Sequence, residues 1–185
     1  MDPQNCSPEI HYVSPTTHVR NSRLPVLVYR NVLPRPHHQP SARAALEKND
    51  WIQGGVFKHY PTHHYHTVTH ECYAVFKGKT RYLVGKGPLD DAAKGIEFDL
   101  EAGDLVIQPA GVAHCNLESS DDFEYIGVYP QGSPHWDNNW CRVDAEETHE
   151  KSLTAEQIPI PSTDPVYGTN GPLVDIWTRA SAATG

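Results

Sequence analysis

Between residues 51 and 130 the chain is cut into short apolar runs, each too brief for a helix of normal length. The runs cover 56–60, 63–66, 71–76, 80–84, 96–100, 104–108, 114–117 and 123–129. They are rich in β-branched and aromatic side chains and are bounded by Gly, Pro, Asp or Lys, which is the pattern of strands separated by turns. Eight strands at this spacing predict an all-β sandwich or barrel. With 13 glycines and 16 prolines among 185 residues, turns are plentiful and long helices are disfavoured. Lys77-Gly78-Lys79 and Glu101-Ala102-Gly103 are short, contain glycine, and read as hairpin links.

The flanks are less regular. The length suits a single domain with ordered arms. Residues 1–22 are polar and proline-bearing and read as an N-terminal arm with little structure of its own. Residues 24–29 form a short β-type run, and the three prolines of 31–40 impose a loop. Ser41 is placed to cap a short helix reaching Asn49. Residues 131–150 read as polar loop, and Ser152 caps a helical turn over 152–157. Residues 158–177 are a proline-marked tail ending in Leu173, Val174, Ile176 and Trp177, and 178–185 read as a flexible end. The expected domain therefore spans 23–177, with its core at 51–130.

Charge narrows the partners. The formal net charge is −8 and the basic residues form no stripe, which argues against nucleic acid and against an anionic membrane surface. No apolar run approaches the 18 residues or so needed to span a bilayer. The first residues carry no basic-then-apolar leader, so a cytoplasmic location is the default expectation. Cys6, Cys72, Cys115 and Cys141 are widely spaced, with no C-x-x-C pair, and read as free thiols.

Histidine is the unusual residue. There are 12, and five fall between His59 and His70. His64-Tyr65-His66 places two imidazoles on one face of an extended segment, since side chains i and i+2 share a face. After four intervening residues comes Glu71, which a hairpin would fold back beside them. A second segment runs from Gly103 through Pro109-Ala110-Gly111, a tight turn, to His114 at the start of another run. Three imidazoles and one carboxylate suit one divalent transition metal (Fe, Mn, Ni, Co or Zn) and suit Ca or Mg poorly. Four such ligands leave open positions for water, dioxygen or a chelating substrate.

Neighbouring residues need sorting. His70 and Glu71 cannot both face one ion without a bulge, and Glu71 is the preferred ligand. His63 points away by the same alternation. His59 and His70 are the candidate acid–base residues, with a solvated histidine the alternative for His59. Tyr65 and Tyr73 read as packing residues or as donors that orient the ligands. Cys115 is expected to face away from the site. Phe57, Phe76, Leu83, Val106, Phe123, Tyr125 and Tyr129 divide between core and pocket wall, and Trp136, Trp140 and Trp177 read as docking residues.

The two segments resemble the paired motifs of the cupin superfamily. The first, H-x-H-x4-E-x6-G, is His64, His66, Glu71 and Gly78. The second, G-x5-P-x-G-x2-H, is Gly103, Pro109, Gly111 and His114. The resemblance extends to the YjlB-like cupins of bacteria and fungi. It is carried by the 24–30 run, His63 to His66, His70-Glu71, the block from Gly103 to His114, 127–132, 164–168, 171–173 and Trp177, and it covers about 22–177. Two departures stand out. The family's glycine five residues before the first motif histidine is absent, Gly55 lying nine before His64, and the family's asparagine is found at Asn116. The resemblance implies a cupin jelly-roll β-barrel, often a homodimer, with short peripheral helices and an ordered proline-rich C-terminal tail.

These readings point to a mononuclear metal-dependent enzyme acting on a small organic substrate, with a dioxygenase or other oxidoreductase reaction foremost. A redox-neutral lyase, decarboxylase or isomerase, acting by Lewis-acid chemistry, is the alternative. A non-catalytic metal- or small-molecule-binding module is the third reading.

Overall fold

The computed structural model describes residues 7–183. Two antiparallel sheets face each other. The larger contains β1 (Glu9–His11), β2 (Val26–Tyr29), β3 (Trp51–Phe57), β4 (Glu71–Lys77), β7 (Leu105–Gln108) and β9 (Glu124–Pro130), in the order β1-β2-β7-β4-β9-β3. The smaller contains β5 (Lys79–Val84), β6 (Ile96–Glu101) and β8 (His114–Ser119), in the order β6-β5-β8. Three helices, α1 (Gln39–Glu47), α2 (Ala145–Glu156) and α3 (Pro172–Ala182), lie around them among the described residues. This is the all-β jelly roll with short peripheral helices expected above. No helix among the described residues is long and apolar enough to cross a membrane.

The central strands of the large sheet, β2, β7, β4 and β9, are buried on both faces. Tyr73, Val75, Val106 and Tyr125 pack inward against Tyr82, Val84, Phe98 and Leu100 of the small sheet. On the opposite face Cys72, Ala74, Ile107 and Val128 pack with Leu46 of α1 and with Leu173 and Trp177 of α3. Double burial explains why β2, β4, β7 and β9 read as continuous apolar runs. β6 and the edge strand β3, each solvated on one face, alternate exposed with less exposed positions.

Several expectations are corrected. The N-terminal arm is ordered: β1 pairs with β2, Val13 and Val19 are buried, and Asn21 donates to the carbonyls of Ser14 and Gly85, both at 2.8 Å. The glycine links at 78 and 103 are not hairpins, because β4 and β5 belong to different sheets, as do β6 and β7. Both are corners that carry the chain between layers, and Gly78 (φ 68°) and Gly103 (φ 108°) adopt backbone angles that a β-carbon disfavours. Helix α1 starts three residues earlier than expected, because His38 rather than Ser41 is its cap: His38 Nδ1 accepts from Ser41 N at 3.2 Å. Helix α2 begins inside the expected 131–150 loop, capped by Asp144 rather than Ser152. The expected flexible end at 178–185 is helical through Ala182, with residues 184 and 185 outside the described set, as is Cys6. Cys72, Cys115 and Cys141 are free and buried, as expected.

Candidate metal site

The four predicted ligands converge. One donor atom from each of His64, His66, Glu71 and His114 lies within 4.8 Å of all the others, and all four side chains are buried. They come from both layers. Glu71 opens β4 and shares its inward face with Tyr73 and Val75. His114 opens β8, after the turn in which Val112 N donates to Pro109 O (3.1 Å) and Gly111 adopts φ 87°. Residues 63–66 are not the strand expected, nor do they form a hairpin with Glu71. His64 instead exchanges backbone hydrogen bonds with His114 (3.2 and 2.9 Å), while Tyr65 does so with Asn139 (both 3.0 Å). The segment is an irregular strap that still keeps residues 64 and 66 on one side.

Hydrogen bonding fixes the ring tautomers. The Nδ1 of His64 lies 2.9 Å from the Thr62 carbonyl, that of His114 lies 3.0 Å from the Val112 carbonyl, and that of His66 contacts the Asp137 carbonyl. A carbonyl oxygen only accepts, so each Nδ1 carries a ring proton and each Nε2 is the nitrogen left to meet a cation. Two of these nitrogens face the same carboxylate oxygen: His66 Nε2 at 2.9 Å and His114 Nε2 at 3.1 Å from Glu71 Oε2. His114 Nε2 is nevertheless buried without a hydrogen-bond partner. Lone pairs and an anionic oxygen at this separation repel one another unless positive charge lies between them. The donor set therefore fits a transition-metal cation.

The charge pattern differs among these groups. Burial, then the proximity of His114 and His66, pushes His64 down to about 3, which keeps it neutral. Burial alone would raise Glu71, but His66 and His114 hold it well below the usual carboxylate range. Burial pushes His66 down, but the charge of Glu71, its hydrogen bond and the contact with Asp137 together push it up, which favours positive charge beside the Glu71 carboxylate.

Two groups that the sequence reading did not single out for this role tether Glu71. Tyr129 Oη donates to Glu71 Oε1 at 2.5 Å, and Gln108 Nε2 donates to Oε2 at 3.2 Å. Gln108 immediately precedes the second motif's Pro109 and stands opposite Glu71 in the β4–β7 ladder; only the register reveals its role. Asp137 is the other missed residue. Its carboxylate accepts from Thr67 N (2.8 Å) and Thr67 Oγ1 (2.7 Å), which holds its carbonyl against His66. Tyr129→Phe is expected to weaken metal binding about 10- to 100-fold without altering the fold, because it removes a partner that orients a ligand. Competition with a chromogenic chelator measures this.

Neither candidate acid–base histidine reaches the cluster. His70 points to the opposite face of the sheet, as alternation requires once Glu71 faces inward. It accepts from Ala110 N (2.9 Å), contacts the Pro159 carbonyl (3.1 Å) and packs on Trp177 with ring centroids 4.7 Å apart. Burial pushes it down to about 4, so it is a neutral structural pin. His59 is exposed, and its Nδ1 lies 2.9 Å from Ser119 Oγ. His63 points away, to the Lys86 carbonyl at 3.0 Å. Asn116 is buried and braces the strap, accepting from Tyr60 N at 2.9 Å.

Above the cluster lies a cavity of about 120 Å³. Phe57, Tyr125 and Tyr129 line it, as does Trp136, which was expected only to dock; Phe76, Leu83, Val106 and Phe123 do not. Trp136 stacks on Tyr129 with centroids 4.7 Å apart and planes 5° from parallel. Gly54 makes this possible, since a β-carbon there would lie 2.4 Å from the Tyr129 ring and 2.7 Å from that of Trp136.

No family model matches the chain. Among solved structures it is similar to RmlC from Streptococcus suis, solved in complex with dTDP-D-xylose, at 14% identity and TM-score 0.38, covering 69% of this chain and 74% of that one. It is also similar to Bacillus subtilis oxalate decarboxylase, described with Mn(II) centres, at 15% identity and TM-score 0.36, covering 63% and 28%. For procruciferin, an 11S globulin from Brassica napus, the values are 12% and 0.35, covering 74% and 31%. The chain thus spans less than a third of the length of the last two. Among curated proteins it is 30% identical over 155 residues to the uncharacterised protein YjlB of Bacillus subtilis, covering 84% of this chain and 87% of that one. With both paired motifs in place and this identity running through most of each sequence, the chain belongs to the YjlB-like cupins.

Proposed function

We propose that this protein is a mononuclear metal-dependent enzyme that acts on a small organic molecule in an oxygen-dependent, dioxygenase-type reaction. The observation that carries the reading is the set of three Nε2 lone pairs and one carboxylate oxygen aimed at one buried point at the base of a cavity. His64, His66, Glu71 and His114 would hold the ion. When bound, an iron(II) ion supplies a redox-active centre with open positions for substrate and dioxygen. The protein's own part is to hold the ligands rigid through Tyr129, Gln108 and Asp137, and to keep water scarce behind aromatic walls.

The choice of an oxygen-dependent reaction over a redox-neutral one rests on what surrounds the ion. A lyase or isomerase that works by proton abstraction needs a base poised at the reacting carbon. Apart from the ligands, the titratable side chains that line the cavity among the described residues are tyrosines. Burial, and then Glu71, pushes Tyr60 and Tyr129 upward, which makes them poor bases. His59 and His70, the other candidates, are directed elsewhere.

The test is anaerobic reconstitution with Fe(II), followed by oxygen-electrode measurements with simple phenols and thiols. Oxygen uptake that requires both iron and a substrate, and is lost in His114→Ala, is the expected result. Proton or carbon dioxide release without oxygen would replace this reading with the redox-neutral one. Ligand binding with neither activity would leave a binding module.

A further inference from the structure

The walls of the cavity are more informative than its size alone. Phe57, Tyr60, Tyr73, Tyr125, Tyr129 and Trp136 surround the space above the four predicted ligands. Asn138, exposed at the rim, is the other lining residue, and no lysine or arginine lines the cavity among the described residues. Three neutral imidazoles and one carboxylate would reduce a divalent ion to a single net positive charge. One singly charged oxygen donor completes the neutralisation. A second anionic group would be buried against aromatic faces, with no cation to meet it, and such burial is costly.

Volume and shape add a second constraint. A dry apolar cavity of about 150 Å³ accommodates benzene, and this one is about 120 Å³. Typical drug-sized ligands need several hundred Å³. The walls are flat ring pairs: Tyr129 lies parallel to Trp136, and Tyr73 lies 4.1 Å from Tyr125 with planes 29° apart. Gly127 leaves room for two lining residues, since a β-carbon there would come within 3.0 Å of the Phe57 ring and 3.4 Å of Glu71 Oε1. Flat aromatic surfaces stack best on another planar ring.

From these observations we infer that the site takes a compact planar ring about the size of benzene that offers the metal one ionisable oxygen, as a phenol or a cyclic enol does, and that it rejects dicarboxylates and phosphates. This rests on the metal-dependent reading above and extends it to the class of substrate. Neither the ring nor the oxygen suffices alone. The ring fits the walls, and the oxygen completes the charge at the floor.

The experiment uses full-length protein loaded with cobalt(II) under nitrogen, with visible absorption of the cobalt centre as the readout and cobalt content measured throughout. The probes are phenol, cyclohexanol, succinate and inorganic phosphate. Phenol is expected to perturb the spectrum at a half-saturating concentration about tenfold or more below those of the other three. Trp136→Ala is expected to weaken phenol about tenfold while retaining cobalt, because it removes one wall but no predicted ligand. Succinate or phosphate binding as tightly as phenol, or cyclohexanol equalling it, would overturn the inference and leave the metal-dependent reading standing. Failure to take up one cobalt per chain would overturn both.

Discussion

Replacing His114 with alanine is expected to abolish tight metal binding while leaving the two sheets folded. The side chain contributes one of three Nε2 lone pairs, and a chain left with two imidazoles and one carboxylate loses a direct ligand, a larger loss than removing an orienting partner such as Tyr129. The backbone around residue 114 does not depend on the imidazole. Its ladder partner Val84 and its exchange of main-chain hydrogen bonds with His64 persist in an alanine variant. Removing the ring also removes a lone pair that faces Glu71 Oε2 at 3.1 Å, a contact that is unfavourable without a cation. The stability effect should therefore appear mainly in the metal-bound protein. A ligand present at a thousandfold over its Kd adds about 4 kcal/mol to the native state. Wild-type Tm should rise accordingly on adding metal, and that of His114→Ala should stay flat. Cys115→Ala is the control for register, since residue 115 lies on the other face of β8. If Cys115→Ala lost the metal and His114→Ala kept it, the assignment of the site would fall.

How much of this was legible in the sequence differs from element to element. The predicted ligands were legible because each obeys a local rule: i and i+2 in an extended segment for His64 and His66, alternation for Glu71 over His70, and a Pro-x-Gly turn before His114. The same alternation that turns Glu71 inward removes His70 from the chemistry. The groups that hold the predicted ligands were not legible. Gln108 lies 37 residues from Glu71, Tyr129 lies 58 away, and Asp137 lies 71 from His66; their roles exist only through sheet register and the path of the 135–140 segment. The glycine corners at 78 and 103 misled for a related reason. A short glycine link looks the same whether it joins two strands of one sheet or passes between two sheets, and only the packing partners on each side decide. The N-terminal arm was misjudged because its order comes from pairing with β2 and from Asn21, neither of which leaves a periodic trace.

The C-terminal tail shows the opposite case, in which a resemblance indicated order before any physical reason was visible. The reason is Asp164, and replacing it with alanine should give the largest loss of stability among the changes considered. Asp164 is fully buried. Its carboxylate accepts from Tyr29 Oη at 2.5 Å, Val166 N at 2.8 Å, Tyr167 N at 3.1 Å and Leu173 N at 3.1 Å. One acceptor thus ties the large sheet, through β2, to the turn over 164–168 and to the first turn of α3. Gly171 must be glycine for this, because a β-carbon there would lie 2.0 Å from that of Asp164. Alanine would leave a buried hydroxyl and three amides without their acceptor, at about 1–3 kcal/mol for each group that water cannot reach. Loosening α3 would also disturb Trp177, which is fully buried and donates to the Pro25 carbonyl at 2.9 Å. A total near 4 kcal/mol is expected, a large share of the 5–15 kcal/mol that typically holds a domain together. Guanidinium unfolding followed by tryptophan fluorescence reads this as a lower midpoint. Asn should fall between Asp and Ala, since its amide keeps one acceptor oxygen but turns an N–H toward donors. The metal site lies on the other face of the large sheet, so whatever Asp164→Ala protein remains folded should still take up one metal per chain. A midpoint within about 1 kcal/mol of wild type would mean that the tail is held by apolar packing alone and that the buried carboxylate contributes little.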